Sequence, residues 1–287
     1  MKALVVGATG LVGSAIISSL KLTGAEVFAA GHKEIELTDP KSFVKALEFN
    51  PDVIFNAAVF QGVEPCEQDP EKAFMVNVHS TRVLAQYCGE NNKTFVYIST
   101  EAVFDESNQP RLEDEQPNPM NYYGLTKYNG EIMTRTFCDN HYIFRLPVMF
   151  GTRENSGANF LEKMHSLYSN GRKTIKVVDD IISRPTYSSD AADIILSTIS
   201  QKEPSGIYHV FNSGDPVSSY DFVKEFFHRL DIHDIEVGRA KAADFSINET
   251  GKKPLKTILG TTKHCAMRDW KEAMADYTNK IKERGYV

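Results

Sequence analysis

The sequence predicts an α/β fold: a doubly wound parallel sheet, with a smaller C-terminal α/β unit interleaved with it. Three observations predict this. Short apolar runs alternate with amphipathic helical stretches over the first half of the chain, as buried parallel strands joined by crossover helices do. A glycine loop, Gly7-Ala-Thr-Gly-Leu-Val-Gly13, follows the first of those runs and opens a helix. Tyr123 and Lys127 stand four residues apart, which places them on one face of a helix.

Ala3–Val6 reads as the first strand, and Gly10 to about Lys21 as the helix after it. Glu26–Ala30 is the second strand. Asp39-Pro40 opens a further helix, Asp39 as its cap and Pro40 at its first position. Asp52–Asn56 is the third strand, and one long helix is expected from about Pro70 to Asn91. Thr94–Ser99 is the fourth strand, a helix runs from Tyr123 to about Asp139, and Tyr142–Leu146 is the fifth strand. After Gly151 the pattern changes. Helices near Phe160–Ser169 and Asp190–Ser200 are interleaved with strands near Ile175–Val178 and Ile207–Phe211. Ser218 or Ser219 caps a helix over about Tyr220–Leu230, and the last helix runs from about Asp269 to Arg284. Residues 1–150 are thus expected to form one domain and 151–287 mainly a second, with parts of 186–213 returning to the first.

At 287 residues the chain is long enough to bury a large core. It is 41% hydrophobic and 24% charged, with a formal charge of −6 and no basic stripe, which argues against a nucleic-acid partner. No run of about 18 apolar residues suggests a membrane span. Met1 leads straight into an apolar strand without a basic region and long apolar stretch, so no secretory leader is expected. Cys66, Cys88, Cys138 and Cys265 are far apart and form no CxxC pair, as in a protein with reduced thiols in the cytoplasm. His79, His141, His209 and His264 lack a metal-ligand spacing, so no metal site is expected.

Small residues at Gly7, Gly10 and Gly13 let backbone approach a pyrophosphate, and the helix N-terminus favours its charge. Thr9, Leu11 and Val12 belong to the same loop and first turn. The second strand ends at Ala30-Gly31-His32-Lys33, and Glu34 comes too late to stand at its tip as the acidic residue expected for NAD. His32 and Lys33 meet a 2′-phosphate or form a solvated turn; on this basis NADP(H) is favoured over NAD(H). Asp39 caps either the adenine pocket or only its own helix.

A tyrosine phenol has a pKa near 10 and is a poor acid at neutral pH. An ammonium one turn away lowers that value, and Lys127 is placed to supply it. Strand four ends at Ile98-Ser99-Thr100, at the carboxyl edge where open α/β sheets bind ligands. Thr100 is the first choice for a hydroxyl that orients a substrate carbonyl, with Ser99 second. Tyr122 is a rival to Tyr123, but the residue four positions after it is Thr126 rather than a lysine.

These residues carry a resemblance over nearly the whole chain. Tyr97-Ile-Ser-Thr-Glu-Ala-Val-Phe-Asp105 resembles the STDYVFDG stretch of the dTDP-4-dehydrorhamnose reductase family, a branch of the extended short-chain dehydrogenases/reductases with a Rossmann fold. Asn121-Tyr-Tyr-Gly-Leu-Thr-Lys-Tyr-Asn-Gly-Glu131 resembles its YGxTKxxGE, and Arg184-Pro-Thr-Tyr187 its GxPTY. Phe55-Asn-Ala-Ala58, Val63-Glu-Pro-Cys-Glu67 and Asn77 resemble NAA, VDxCE and a following Asn. The resemblance implies a catalytic trio of Thr100, Tyr123 and Lys127. It implies a cofactor lined by Asn56, Ala57, Ala58, Asn77 and Ser99, and a substrate met by Thr100, Glu101, Val103, Phe104 and Tyr123.

The sequence departs from the family pattern on the substrate side. Glu101 and Ala102 stand for Asp-Tyr, Arg184 stands for Gly, and Lys253–Gly260 only loosely follows RPxxSxLD. Similar 4,6-dehydratases carry Thr-Asp-Glu at the strand end; Ala102 supplies no base, which disfavours dehydration. Arg184 is expected on a substrate pyrophosphate, where guanidinium suits phosphate oxygens. Two readings stand for Arg145, the same contact or a structural ion pair. The expected activity is ketone reduction on a nucleotide-activated 4-keto-6-deoxy sugar. The alternatives are a sugar-nucleotide epimerase and a non-catalytic cofactor-binding subunit, such as the family's methionine adenosyltransferase subunit. A homodimer is usual among similar proteins.

Overall fold

The computed structural model describes residues 1–153, 159–245, 251–263, 267–283 and 285; the expectations placed on His264, Cys265 and Arg284 lie outside them. Six strands form one parallel sheet: β1 (Lys2–Val6), β2 (Glu26–Ala30), β3 (Val53–Asn56), β4 (Thr94–Thr100), β5 (His141–Leu146) and β6 (Gly206–His209). Their order is β6-β5-β4-β3-β1-β2. The direction of winding reverses between β1 and β3, and the ends of β1, β3 and β4 open into one crevice. The helices used below are α1 (Leu11–Leu22), α2 (Ser80–Glu90), α3 (Tyr122–Phe137), α4 (Phe160–Ser169), α5 (Ser188–Ser200), α6 (Ser219–Arg229) and α7 (Trp270–Glu283).

Strand alternation divides the core into two layers. Leu4, Val6, Ile54, Phe95, Tyr97 and Ile143 face one way and pack with Leu84, Ala85 and Cys88 of α2. Ala3, Val5, Val53, Phe55, Val96, Ile98, Tyr142 and Phe144 face the other way, onto Ile16 and Leu20 of α1 and Ala191, Ala192 and Ile195 of α5. A third, aromatic cluster lies outside the sheet: Phe150, Tyr187, Phe222, Phe226, Phe227, Trp270 and Tyr277 pack with Leu161 of α4 and Ile175 and Val177 of the strand Thr174–Val178. Both α5 and β6 follow that strand in the chain yet return to the main sheet.

Several elements differ from the sequence reading. The helix expected over Pro70–Asn91 is broken into Pro70–Phe74, a π-helical turn Met75–His79 and α2. Ser80 and Thr81 hydroxyls donate back to the Val76 and Asn77 carbonyls at 2.5 and 2.9 Å, side-chain bonding that goes with a disturbed helical ladder. After Asp39 the chain makes a 3₁₀ turn, Pro40–Phe43, and a five-residue helix, Val44–Glu48. The last strand of the sheet stops at His209, short of Phe211. Ser218 is the cap of α6, its side chain accepting from the Asp221 amide. Cys66, Cys88 and Cys138 are free and buried. Among the described residues no helix is long and apolar enough to cross a membrane, and no cluster of three metal-ligating side chains occurs.

The glycine loop is shaped by close approach. Gly7 has φ +82°, and a Cβ there would meet the Ala58 nitrogen at 2.5 Å. A Cβ on Gly13 would meet the Gly7 carbonyl oxygen at 2.2 Å, which packs α1 against the loop. A Cβ on Gly10 would find that oxygen at 3.2 Å, so this position tolerates a methyl far better. Gly13→Ala should therefore cost roughly 1–3 kcal/mol or more, read as a lowered urea midpoint. Gly10→Ala should cost less than about 1 kcal/mol. Equal losses would contradict this account of the loop.

Candidate active site

The floor of the crevice is the start of α1. Its N-cap is Gly10, which offers no side chain to the first-turn amides, and no acidic residue lies in that turn. Leu11 and Val12 are half-buried and Thr9 is exposed. Free amides, a positive helix end and glycine backbone are the donor set that a pyrophosphate requires, so the loop fits a dinucleotide. Gly7 and Ala8 amides donate to the Ala30 carbonyl at 2.9 and 3.1 Å, which seats the end of β2 beside the loop.

At the tip of β2, His32 and Lys33 are exposed. The expectation that no carboxylate stands there is corrected. The chain turns back after Gly31, and Glu34 Oε2 accepts from the Gly31 amide at 2.8 Å. A Cβ on Gly31 would meet both Thr9 Cγ2 at 3.2 Å and Glu34 Oε2 at 3.4 Å, so this carboxylate flanks the glycine loop. Asp39 is exposed and caps its own 3₁₀ turn, accepting from Lys41 N at 3.0 Å.

Asn56 and Asn77 are buried and already engaged. Asn56 accepts from Ala58 N at 3.3 Å and donates to Thr81 Oγ1 at 3.1 Å. This shapes the Asn56-Ala57-Ala58 turn that packs on Gly7. Asn77 accepts from Phe60 N at 2.8 Å and donates to Phe60 O and to Thr126 Oγ1. Its amide clamps the loop after β3 to α3, so it reaches a cofactor only through the loop it holds.

Tyr123 and Lys127 lie on α3, whose N-cap Asn121 accepts from Gly124 N at 2.8 Å. Two glycines let α3 lie close to β4. A Cβ on Gly124 would meet the Ala102 carbonyl oxygen at 2.1 Å, and one on Gly130 would meet Tyr97 Oη at 2.1 Å. The close approach brings the Tyr123 phenol within the electrostatic reach of the Thr100 hydroxyl. Burial pushes the phenol up to about 12, against the pull of that hydroxyl. Lys127 is 2% exposed. Its Nζ donates to Ile98 O at 2.6 Å and stands 4.0 Å above the Tyr97 ring centroid. Burial pushes the ammonium down to about 7, opposed by Glu131. The expected lowering of the Tyr123 pKa is therefore not seen: burial outweighs the other influences on the phenol.

Glu101 follows Thr100 directly. Its Oε2 accepts from the Ser183 hydroxyl at 2.7 Å, which joins the end of β4 to the strand Ile182–Ser183. Burial pushes this carboxyl up to about 8, against Ser183 and the Lys253 ammonium. Glu101 is also among the charges felt by Tyr123, so it belongs to the same cluster.

Four residues expected to touch ligand are committed elsewhere. Arg145 is 1% exposed and grips the fully buried Glu131 with Nε at 2.9 Å and Nη2 at 2.7 Å. Arg145 thus forms the buried ion pair that was one of its two readings. Ser99 donates to Glu131 Oε1 at 2.6 Å. Val103 and Phe104 are 0% exposed and pack with Leu259; Phe104 lies under the Arg145 guanidinium at 4.9 Å. Arg184 stays half-buried near the site, donating Nη1 to Gly214 O at 2.5 Å and stacking 5.0 Å over Phe211.

Sequence reasoning missed Glu131, Ser183 beside Glu101, and the two residues that meet Arg145 Nη1, Glu113 through its carbonyl at 3.5 Å and His209 through Nε2 at 3.3 Å. Glu131 carried a signal, since it lies one turn beyond Lys127 on the same face. The other three take their partners from remote segments and carried none.

The family described as RmlD substrate binding domain matches residues 1–283. The spore coat polysaccharide biosynthesis protein SpsK of Bacillus subtilis is 32% identical over 96% of both chains. The dTDP-4-dehydrorhamnose reductase of Streptomyces griseus is 34% identical over 74% of this chain and 70% of its own. The dTDP-4-dehydrorhamnose reductase of Bacillus anthracis, solved in complex with NADP, superimposes with a TM-score of 0.89 at 25% identity, covering 97% of this chain and 99% of that one. The chain belongs to the RmlD family, the dTDP-4-dehydrorhamnose reductase branch of the extended short-chain dehydrogenases/reductases.

Proposed function

We propose that this protein reduces the C4 ketone of a nucleotide-activated 4-keto-6-deoxy sugar, with NADPH as the reductant. The observation that carries the reading is the grouping of Thr100, Tyr123 and Lys127 where α3 lies against the carboxyl end of β4, with Lys127 Nζ on the Ile98 carbonyl. Family membership supports the reaction class. The cytoplasm is the proposed location, in keeping with buried free thiols. A homodimer completes the proposal on resemblance alone.

The nicotinamide, when bound, supplies the hydride. Gly7, Gly10 and the first turn of α1 hold its pyrophosphate, and Ala57 and Ala58 give it a close backbone wall. Thr100 and Tyr123 hydrogen-bond the C4 oxygen and orient the carbonyl. Tyr123 is fully protonated at neutral pH, because its pKa stands near 12, so its hydroxyl proton is available to the oxygen as negative charge develops there. Lys127 stabilises the phenolate left behind. Arg184 meets the diphosphate of the substrate from the second lobe.

NADPH is favoured because His32 and Lys33 flank the end of β2, and Glu34 works against it. In solution NADPH should bind more tightly than NADH, and Glu34→Gln should raise NADPH affinity roughly fivefold, about 1 kcal/mol for a like-charge contact in water. Fluorescence titration of both cofactors measures this; an unchanged NADPH affinity removes Glu34 from the 2′-phosphate site.

Tyr123→Phe should keep NADPH binding and lose at least a hundredfold in turnover, followed as NADPH absorbance with freshly made dTDP-4-keto-6-deoxy sugars. Wild-type conversion with no net oxidised cofactor would establish an epimerase instead.

Glu101 holds its proton in the folded state up to about pH 8, against an ordinary 4.5. Its contribution to stability is present below pH 4.5 and lost as pH rises through 8. Glu101→Gln should remove that slope, sparing roughly 2–4 kcal/mol of loss between pH 5 and 8. Urea melts at the two pH values check it, and parallel slopes in both proteins would refute it.

A further inference from the structure

Beneath the proton-delivery pair lies a buried charge network that the proposed reaction does not itself use. Glu131 is 0% exposed and sits one turn beyond Lys127 on α3. Its Oε1 accepts from Ser99 at 2.6 Å and from Arg145 Nε at 2.9 Å, and its Oε2 accepts from Arg145 Nη2 at 2.7 Å. Ser99 lies between Thr100 and Ile98, and the Ile98 carbonyl holds Lys127 Nζ at 2.6 Å. One carboxylate is therefore tied to the last turn of strand that carries Thr100 and to the helix face that carries Lys127.

The arrangement has an electrostatic consequence. Lys127 is buried with one carbonyl and one aromatic face as neighbours, surroundings that disfavour an ammonium. The titratable and charged groups around it are Tyr97 on β4, Tyr123 and Glu131 on α3, and Arg145 on β5 behind Glu131. Glu131 alone among them favours the charged form of Lys127. Arg145 meets both oxygens of Glu131, one through Nε and the other through Nη2.

We propose that Glu131 is the positioning residue of this site: it locks the end of β4 to α3 and holds Lys127 in its charged, aligned state. The proposal rests on the reading that Lys127 serves Tyr123, and its test is chosen to be independent of turnover. The full chain carrying ¹³C-labelled lysine is titrated by NMR without cofactor, with the Lys127 signal identified by its loss in Lys127→Met. Glu131→Gln should lower the Lys127 midpoint by about one unit, a tenfold loss of proton affinity. Should that variant fail to fold, the double variant Glu131→Gln/Arg145→Gln keeps an uncharged amide pair in the core. The same downward shift is expected there, because Arg145 is not among the groups that move Lys127. An unchanged midpoint in the folded variants overturns the proposal. NADPH oxidation on the same samples is read separately. A shifted midpoint in a protein whose wild type reduces no keto sugar leaves the positioning role standing and rejects the proposed reaction. With an active wild type, the Glu131 variants should lose at least tenfold in kcat with little change in KM for NADPH.

Discussion

The close approach of α3 to β4 is the constraint on which the rest of the site depends. A helix carrying Cβ atoms at 124 and 130 would collide with the Ala102 carbonyl and the Tyr97 hydroxyl, each at 2.1 Å. With glycine at both positions the helix sinks onto the strand end. Tyr123 then comes under the influence of the Thr100 hydroxyl, and Lys127 Nζ donates to the Ile98 carbonyl. The same approach buries Lys127 and Glu131 and raises the Tyr123 pKa by desolvation. Geometry and electrostatics therefore share one cause. Packing that aligns the groups also dries them, and in a dry crevice a neutral phenol is the favoured state.

That preference suits reduction. A ketone accepting hydride needs a proton to arrive, so the acid must begin the cycle protonated. Tyr123 does, and Glu101 beside it is also neutral at pH 7. Thr100, Tyr123 and protonated Glu101 thus form a cluster that carries no carboxylate charge at pH 7. Developing oxyanion is favoured there, and a second anion is disfavoured. Ala102, next to Glu101, adds no base to the cluster.

The parallel sheet and the helix that carries Tyr123 and Lys127 were legible because their signals are local. Alternating apolar residues, a glycine loop and a four-residue spacing are each written within a dozen positions. Several of the misread residues share a different property: their partners come from elsewhere in the chain. Arg145 was open between two readings until Glu131 and His209 came beside it, and His209 lies 64 positions away. Val103 and Phe104 sit in a ligand-lining motif, yet Leu259 from the far end of the chain covers them. Glu34 was misjudged by counting along the strand, whereas the turn after Gly31 brings its carboxylate back to the tip. The π-helical turn at Asn77 was hidden because apolar periodicity does not reveal a ladder that side-chain hydroxyls have opened.

The same remote partners explain how the two lobes are held as one. From Glu131 the network passes through Arg145 to His209 Nε2 at 3.3 Å, and His209 Nδ1 lies 2.7 Å from the Gly260 carbonyl. This geometry fits the tautomer with its proton on Nδ1. Burial and Arg145 push the imidazole down to about 4, so it stays neutral. Gly260 ends a segment that pairs with the first lobe at Arg111 and with the strand Ile182–Ser183 of the second. Nearer its start, the Lys252 carbonyl accepts from Asn121, the cap of α3, at 2.9 Å. The segment is thus fastened at one end to the cap of the catalytic helix and at the other to the charge network beneath it. Both attachments lead to α3, so the position of Tyr123 depends on this segment as well as on the helix that carries it.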